Sequence, residues 1–415
     1  MNAFGSIPTI PAPYVAPGWS FRPLKFNLRK LSEKTGSRSN VLALENIESW
    51  TGRLQSSGSE FDGDGVKFRK GDILFGKLRP YLAKVHQVKT DGEAIGDLWV
   101  LRPSNDCNAT FLTYQLLNRD FIEIVDASTN GAKMPRAEWA FVSSIGLPTP
   151  PLKDQTVIAN FLDQQTAQID GLIDKKTQFI ALLREKRTAA IAHAVTKGIG
   201  KNTPMKSSGE DWLGDIPAHW SVCPPTVLFS ESKERARETD PLLSATQKYG
   251  VIPVAEFEAL EQRKVTMAVV NLDKRKHVEV GDFVISMRSM DGGLESARAV
   301  GSVRSSYSVL KCGPDVDGRF FGFLLKSDLY IQALRLTSSF IRDGQDMNFG
   351  HFRKVRLPVI PIVEQSQIAD HLEEQMMRID MLVTKTNRSI ELLKEKRAAL
   401  ITAAVTGKID VRSAA

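Results

Sequence analysis

The residues whose types and spacing could do chemistry are basic side chains beside strand-turn segments. In the first half Lys67, Arg69, Lys70, Lys77, Arg79 and Lys84 crowd around "KGDILFGKLRP". In the second half Arg263, Lys264, Lys274, Arg275, Lys276, Arg288, Arg298 and Arg304 flank "VGDFVISMRS". Lys and Arg at this density can neutralise phosphates, and a planar guanidinium can also hold a guanine edge through two hydrogen bonds. Taken singly, each is equally an ordinary solvated surface charge. Two further loops, "STNGAKMPRAEW" (Ser128–Trp139) and "IRDGQDMNFGHF" (Ile341–Phe352), combine glycine, amide, basic and aromatic residues. That mixture suits a flexible reader of base edges and phosphates, although packing explains the aromatics equally well.

Catalytic constellations are missing. The chain has no Gly-x-x-x-x-Gly-Lys-Ser/Thr phosphate loop, no Gly-x-Ser-x-Gly elbow and no His-Glu-x-x-His pair. It also lacks the Asn-Pro-Pro-Tyr and Asp-Pro-Pro-Tyr motifs of amino-methyltransferases. Asp72 and Lys77 follow a turn into a strand, loosely as in a metal-dependent nuclease core. The matching place in the second half holds Met287, and a Gly-Asp turn entering a buried strand, with Asp bonding its own turn backbone, accounts for both copies. His193 and His371 fall on long helices opposite Ala403 and Phe161, which reads as helix-face structure. Cys107, Cys223 and Cys312 are far apart and odd in number, so a reducing compartment is expected, with neither a disulfide framework nor a structural zinc.

These segments need elements to hold them, and the chain supplies two sets. It has 415 residues, a net charge of +7, 42% hydrophobic and 25% charged residues, an ordinary globular composition with room for two or three domains. There is no apolar run of bilayer length and no basic-then-apolar start of a secretory signal, so a cytoplasmic location is expected. The run from Leu147 recurs from Leu357, 210 residues later. Gln155 meets Gln365, Ile158-Ala159 meets Ile368-Ala369, Ile169-Asp170 meets Ile379-Asp380, and Glu185-Lys186-Arg187 meets Glu395-Lys396-Arg397. Roughly 45% of positions from Leu147 to Ile199 are identical, which marks a repeat.

Each copy reads as a long helix. Asp154 to Thr196 contains no proline and one glycine, Gly171, with apolar residues near helical spacing. Leu162, Ile169, Leu172 and Leu183, and in the second copy Leu372, Ile379, Leu382 and Leu393, stand among the apolar residues of the two helices. Pro151 and Pro361 precede the helices, and Lys197-Gly198 and Gly407-Lys408 stop them. About 40 residues give a rod of about 60 Å. Two such rods can cover each other's stripe, or each can pack only on its own domain. The expected division is an N-terminal arm (1–19), a mixed α/β head (20–150), a helix (151–199), a surface linker (200–220), a second head (221–360) and a second helix (361–411).

This organisation resembles the DNA specificity subunit of type I restriction–modification systems. The resemblance rests on "IGLPTPPLKDQTVIANFLD" and "VRLPVIPIVEQSQIADHLE", on "LLREKRTAAIAHAVTKGI" and "LLKEKRAALITAAVTGKI", on "DWLGDIPAHW" (Asp211–Trp220), and on "KGDILFGKLRP". Asp154 stands where the second copy has the more typical Glu364, and "VGDFVISMRS" is a loose version of the strand-turn. The resemblance implies an α+β protein with two target recognition domains, separated by two repeated helices packed as an antiparallel coiled coil with pseudo-twofold symmetry. Each head would read half of a bipartite, asymmetric site in double-stranded DNA, entering a major groove. The helices, through Leu162, Ile169, Leu172, Leu183, Leu372, Ile379, Leu382 and Leu393, would set the spacer and dock two modification (methyltransferase) subunits, and two restriction subunits would complete the complex. The chain itself would be no enzyme and bind no cofactor or metal. S-adenosylmethionine, ATP and Mg would belong to the other subunits, and no membrane would be involved. Lys77, Arg79, Lys133, Arg136, Arg288, Arg342 and Asn348 are the residues expected to touch DNA. The competing reading is a non-catalytic adaptor, two modules on a coiled-coil scaffold that does not bind DNA.

Overall fold

The computed structural model describes residues 9–10, 18–36, 39–55, 63–129, 131, 133–264, 274–286, 289–337 and 347–411. They divide into two compact units, one drawn from residues 1–177 and 387–415 and the other from 178–386. The long helices Leu152–Lys197 and Ile362–Val405 begin immediately after Pro151 and Pro361, which lack the N–H that a preceding turn would need. They end where Gly198 and Gly407 adopt positive φ, a conformation that costs glycine little. The division into units falls inside both helices rather than at their ends.

In the first unit the strand Ile73–Gly76 is buried along its whole length. It lies between Leu98–Pro103 and Val85–Gln87, with Leu28–Leu31 beyond Leu98–Pro103, in an antiparallel four-stranded sheet. Phe75 stands opposite Trp99 in the ladder, their rings stack at 5.7 Å, and Phe121 meets Phe75 edge-on at 6.1 Å. A second sheet runs Lys34–Thr35, Gly65–Phe68, Gly92–Ala94, Val41–Leu42, the last pair parallel. The apolar patch "FLTYQLLNRDFIEI" forms two helices, Ala109–Leu116 and Arg119–Ala127, because Asn118 caps the second by accepting the Asp120 N–H. Ser20–Pro23 pairs with Gly146–Thr149, so the head closes where the helix begins.

The same unit contains the last part of the second helix. Ile158, Ala159 and Leu162 share one core with Ile401, Ala404 and Val405. Further along, Asp170 accepts from Arg397 at 2.9 Å, so rising numbers on one segment meet falling numbers on the other.

The second unit builds its head around Phe283–Ile285, within the sheet order Phe229–Ser232, Ser308–Cys312, Phe283–Ile285, Glu295–Ser296. Phe229 meets Phe283, Phe321 and Phe352 edge-on at 5.9, 5.2 and 5.7 Å. Ser221–Cys223 closes this head by pairing with Leu357–Val359. The segment read as a surface linker is more ordered than expected. It forms a hairpin of Met205–Ser207 and Asp215–Pro217, and Leu213, Ile216 and Trp220 are buried in the unit's core. The Gly/Ser/Lys content at its start suggested a tether, whereas three apolar side chains in "DWLGDIPAHW" dock it.

Candidate nucleic-acid interface

Two Gly-Asp turns aim the segments that carry the cations. Asp72 is buried and accepts the Arg69 N–H at 2.8 Å, closing its own turn around Gly71 at φ +93°. Its oxygens also take Arg102 Nε and Nη2 at 2.8 and 2.7 Å. Asp282 likewise accepts the Glu279 N–H at 2.8 Å and faces Lys311 Nζ at 2.9 Å, and burial pushes its carboxyl up. Both aspartates are thus occupied in anchoring a turn and a neighbouring strand, and among the described residues no group of three or more His, Cys, Asp and Glu could hold a metal.

Beyond the first turn, the strand Ile73–Gly76 runs out into Lys77-Leu78-Arg79. This segment pairs with the loop that comes after the two short helices. Leu78 bridges Arg136, the Arg79 N–H donates to the Pro135 carbonyl at 2.8 Å, and the Ala137 N–H donates to the Lys77 carbonyl at 2.8 Å. Two segments nearly sixty residues apart are thereby joined into one ledge that carries Lys77, Arg79 and Arg136, with Lys133 two residues before the paired Pro135. Arg79, Lys133 and Arg136 are exposed and Lys77 is half-buried. Arg79 (φ +50°) and Ala83 (φ +44°) bracket the turn Pro80–Leu82 in the left-handed region, which disfavours any side chain with a Cβ. That kink presents Tyr81 and Arg79 outward, and Met134 is the exposed apolar residue of the other loop. One carboxylate, Asp97, sits among the cations, 3.2 Å from Arg136 Nε and 3.7 Å from Lys77 Nζ.

Not every basic residue of the sequence cluster faces out. Lys84 Nζ donates to the Leu44 carbonyl at 2.9 Å, and Lys67 lies 3.9 Å from Glu33. In the second head Arg275 is buried, donating to the hydroxyl and carbonyl of Ser302 at 3.1 and 2.9 Å. Burial, with Arg304 nearby, lowers its pKa.

The second head gives a less complete picture. Arg288 and Arg342 lie outside the described residues. Asn348 caps the turn Phe349–Phe352, its side chain accepting the Gly350 N–H at 2.8 Å. Nearby sequence did not mark the feature that the structure adds. A cavity of about 750 Å3 is lined by Lys248, Tyr249, Arg263, Lys264, Arg304 and Tyr307, among others. Arg263 stacks on Phe257 at 5.5 Å, and the Tyr249 hydroxyl donates to Glu261 at 2.9 Å. Arg263, Lys264 and Arg304 were legible as basic residues. Lys248 and Tyr249 join them only because the hairpin Leu243–Thr246/Gly250–Pro253 folds their turn over.

On the helices, Leu162, Ile169, Leu183, Leu372 and Ile379 are buried, and Leu393 is half-buried. Leu172 and Leu382 are 48% and 43% exposed, because a residue ten positions after Leu162 or Leu372 has rotated off the buried face. No helix among the described residues is long and apolar enough to cross a membrane.

Comparison with known proteins bears on this arrangement. The profile of the type I restriction modification DNA specificity domain matches residues 51–180, which include the whole ledge. The chain is 26% identical over 200 residues to the type I restriction enzyme EcoDI specificity subunit of Escherichia coli, 47% of this chain and 40% of that protein. It is 20% identical over 411 residues to the EcoBI specificity subunit of Escherichia coli, covering 89% of this chain and 86% of that one. Its fold is similar to the crystal structure of the HsdS subunit from Thermoanaerobacter tengcongensis, with a TM-score of 0.55, 16% identity, and coverage of 96% and 99%. It is also similar to a chain from a structure concerned with assembly and conformational transition of the type I R-M system, with a TM-score of 0.72, 15% identity, and coverage of 95% and 100%. With its profile match lying on the head that bears the cation ledge, this chain is similar to the DNA specificity subunits of type I restriction–modification systems.

Proposed function

We propose that this chain recognises a bipartite DNA sequence, each head reading one half, and that the reading surface of the first head is the ledge of Lys77, Arg79, Lys133 and Arg136. The observation that carries this reading is the joining of Lys77, Arg79 and Arg136 from two distant loops into one edge, with exposed Lys133 two residues from the join, in a head similar to those of type I DNA specificity subunits. Four cations neutralise phosphates, and arginine can also discriminate bases. The chain catalyses nothing; methyl transfer from S-adenosylmethionine falls to two modification subunits, and ATP- and Mg-dependent translocation and cleavage to two restriction subunits. The long helices lie antiparallel as a coiled coil, related by an internal pseudo-twofold, and hold the two heads apart by a set number of base pairs.

Docking of two modification subunits is favoured by a detail of the helices. The first unit carries exposed Leu172 and Leu392, and the second carries exposed Leu382 and Leu182, the same two places offset by 210 residues. Equivalent exposed leucines on both units suit two copies of one partner.

The ledge is tested by Arg79→Ala and Lys133→Ala in the chain assembled with its methyltransferase partner, measuring equilibrium binding to a duplex carrying the methylated motif across a salt series. Wild type loses affinity steeply with salt. The double variant binds more weakly, and its log–log slope is shallower by about 0.9 for each phosphate that is no longer neutralised. An unchanged affinity and slope would remove the ledge from the interface.

A further inference from the structure

Asp97 is out of place on a surface that meets phosphates, and its geometry explains why it is there. It follows Gly96, which turns the chain at φ +67°, and its carbonyl accepts the Lys77 N–H at 2.9 Å, so its backbone is fixed to the same ledge. Its carboxylate grips Arg136 side-on, with Nε donating to Oδ1 at 3.2 Å and Nη2 to Oδ2 at 3.3 Å. Lys77 Nζ lies 3.7 Å from the same Oδ1. Arg79 and Lys133, by contrast, have no ion-pair partner among the described residues.

A guanidinium has five N–H donors in one plane. The side-on grip occupies the Nε hydrogen and one Nη2 hydrogen. It leaves the pair at the far end, on Nη1 and Nη2, parallel and pointing away from Asp97. Two parallel donors match the O6 and N7 acceptors of guanine, a pattern that no other base offers in the major groove. The carboxylate removes the rotamer freedom that an exposed arginine otherwise loses on binding. It also weakens attraction to phosphate, and therefore to DNA of any sequence.

We infer that Arg136, held by Asp97, reads a guanine in the half-site of the first head, and that Asp97 is a positioning residue that favours the correct sequence over generic DNA. This rests on the proposal that the first head reads DNA. It assigns a base, a reading residue and a buttress.

The test uses the full chain assembled with its methyltransferase partner. The methylated motif is first established by single-molecule methylation sequencing. Duplexes are then made with 7-deazaguanine, which pairs normally but lacks the N7 acceptor, at each guanine of the first half-site in turn. One position is expected to lose at least about fivefold in affinity, the discrimination of one bidentate arginine–guanine pair. That loss disappears in Arg136→Ala. Asp97→Asn is expected to bind non-cognate duplex as well as or better than wild type, while the ratio of cognate to non-cognate affinity falls at least about threefold.

A half-site without guanine, or a 7-deazaguanine penalty that persists in Arg136→Ala, overturns the inference. So does an Asp97→Asn variant that weakens cognate and non-cognate binding equally, which is the mark of a merely structural role. If instead no cognate preference exists for the first half-site at all, the reading of the head itself fails, and the two failures are told apart.

Discussion

Arg397 and Arg187 stand 210 residues apart in matching sequence, yet their surroundings give them different weights. Arg397 is 6% exposed and donates to Asp170 and to the carbonyls of Trp50 and Thr51, each at 2.9 Å. Removing it leaves a buried carboxylate and two partly buried carbonyls without their donor. Arg397→Ala should therefore destabilise the first unit by about 3–5 kcal/mol. Arg187 meets Asp380 with both side chains well exposed, and Arg187→Ala should cost at most about 1 kcal/mol. Thermal unfolding, with hydrogen exchange resolving each unit, compares the two; equal losses would mean that burial does not set the difference. The repeated glutamines behave alike. Gln155 accepts the Asn108 N–H at 2.8 Å and donates to the Pro150 carbonyl at 2.9 Å. Gln365 accepts the Asp317 N–H at 2.8 Å and donates to the carbonyls of Asp315 and Ile360 at 2.9 and 2.8 Å. Each ties a head to the root of its helix, and each Gln→Ala change should cost about 1–3 kcal/mol in its own unit by the same measurement. Tyr330 gives the opposite sign. Its ring packs against Trp212 at 5.7 Å, but its buried hydroxyl has no hydrogen-bond partner among the described residues. Tyr330→Phe should therefore leave stability unchanged or raise it by up to about 1 kcal/mol, and a clear loss would point to an unrecognised partner.

The helices make the prediction that belongs to elements. One extra turn in each, about four residues after Thr177 and after Asn387, adds about 6 Å. At 3.4 Å per base pair, the unread spacer should lengthen by about two base pairs while both half-sites stay the same. Methylome sequencing of cells carrying the variant reads this directly, and an unchanged spacer in an active enzyme would count against a ruler. The helices were also the most legible elements, because an uninterrupted periodic run between proline and glycine leaves little else possible. Strand Ile73–Gly76 was legible for a similar reason, as an apolar run behind a Gly-Asp turn. The joining of Lys77-Leu78-Arg79 to Pro135-Arg136-Ala137 was not, since no local pattern announces a pairing across nearly sixty residues. The linker hairpin was misjudged because its polar start outweighed Leu213, Ile216 and Trp220. Leu172 and Leu382 stand ten residues after Leu162 and Leu372, about 80° round the helix from them, which is why they are exposed while Leu162 and Leu372 are buried.

For the whole molecule, the proposed division of labour makes the heads separable and the helices constant. A net charge of +7 over 415 residues is modest, so affinity for DNA must come from where cations are gathered rather than from their total. In the first head they gather at the ledge, and in the second Lys248, Arg263, Lys264 and Arg304 gather around one cavity. Separate surfaces imply separate specificities. The most direct test exchanges residues 221–360 for the matching head of a relative, keeps both helices, and maps methylation by single-molecule sequencing in cells supplying the methyltransferase subunit. Independent heads predict a new motif in which one half and the spacer are unchanged and only the other half differs. A motif changed in both halves would contradict them.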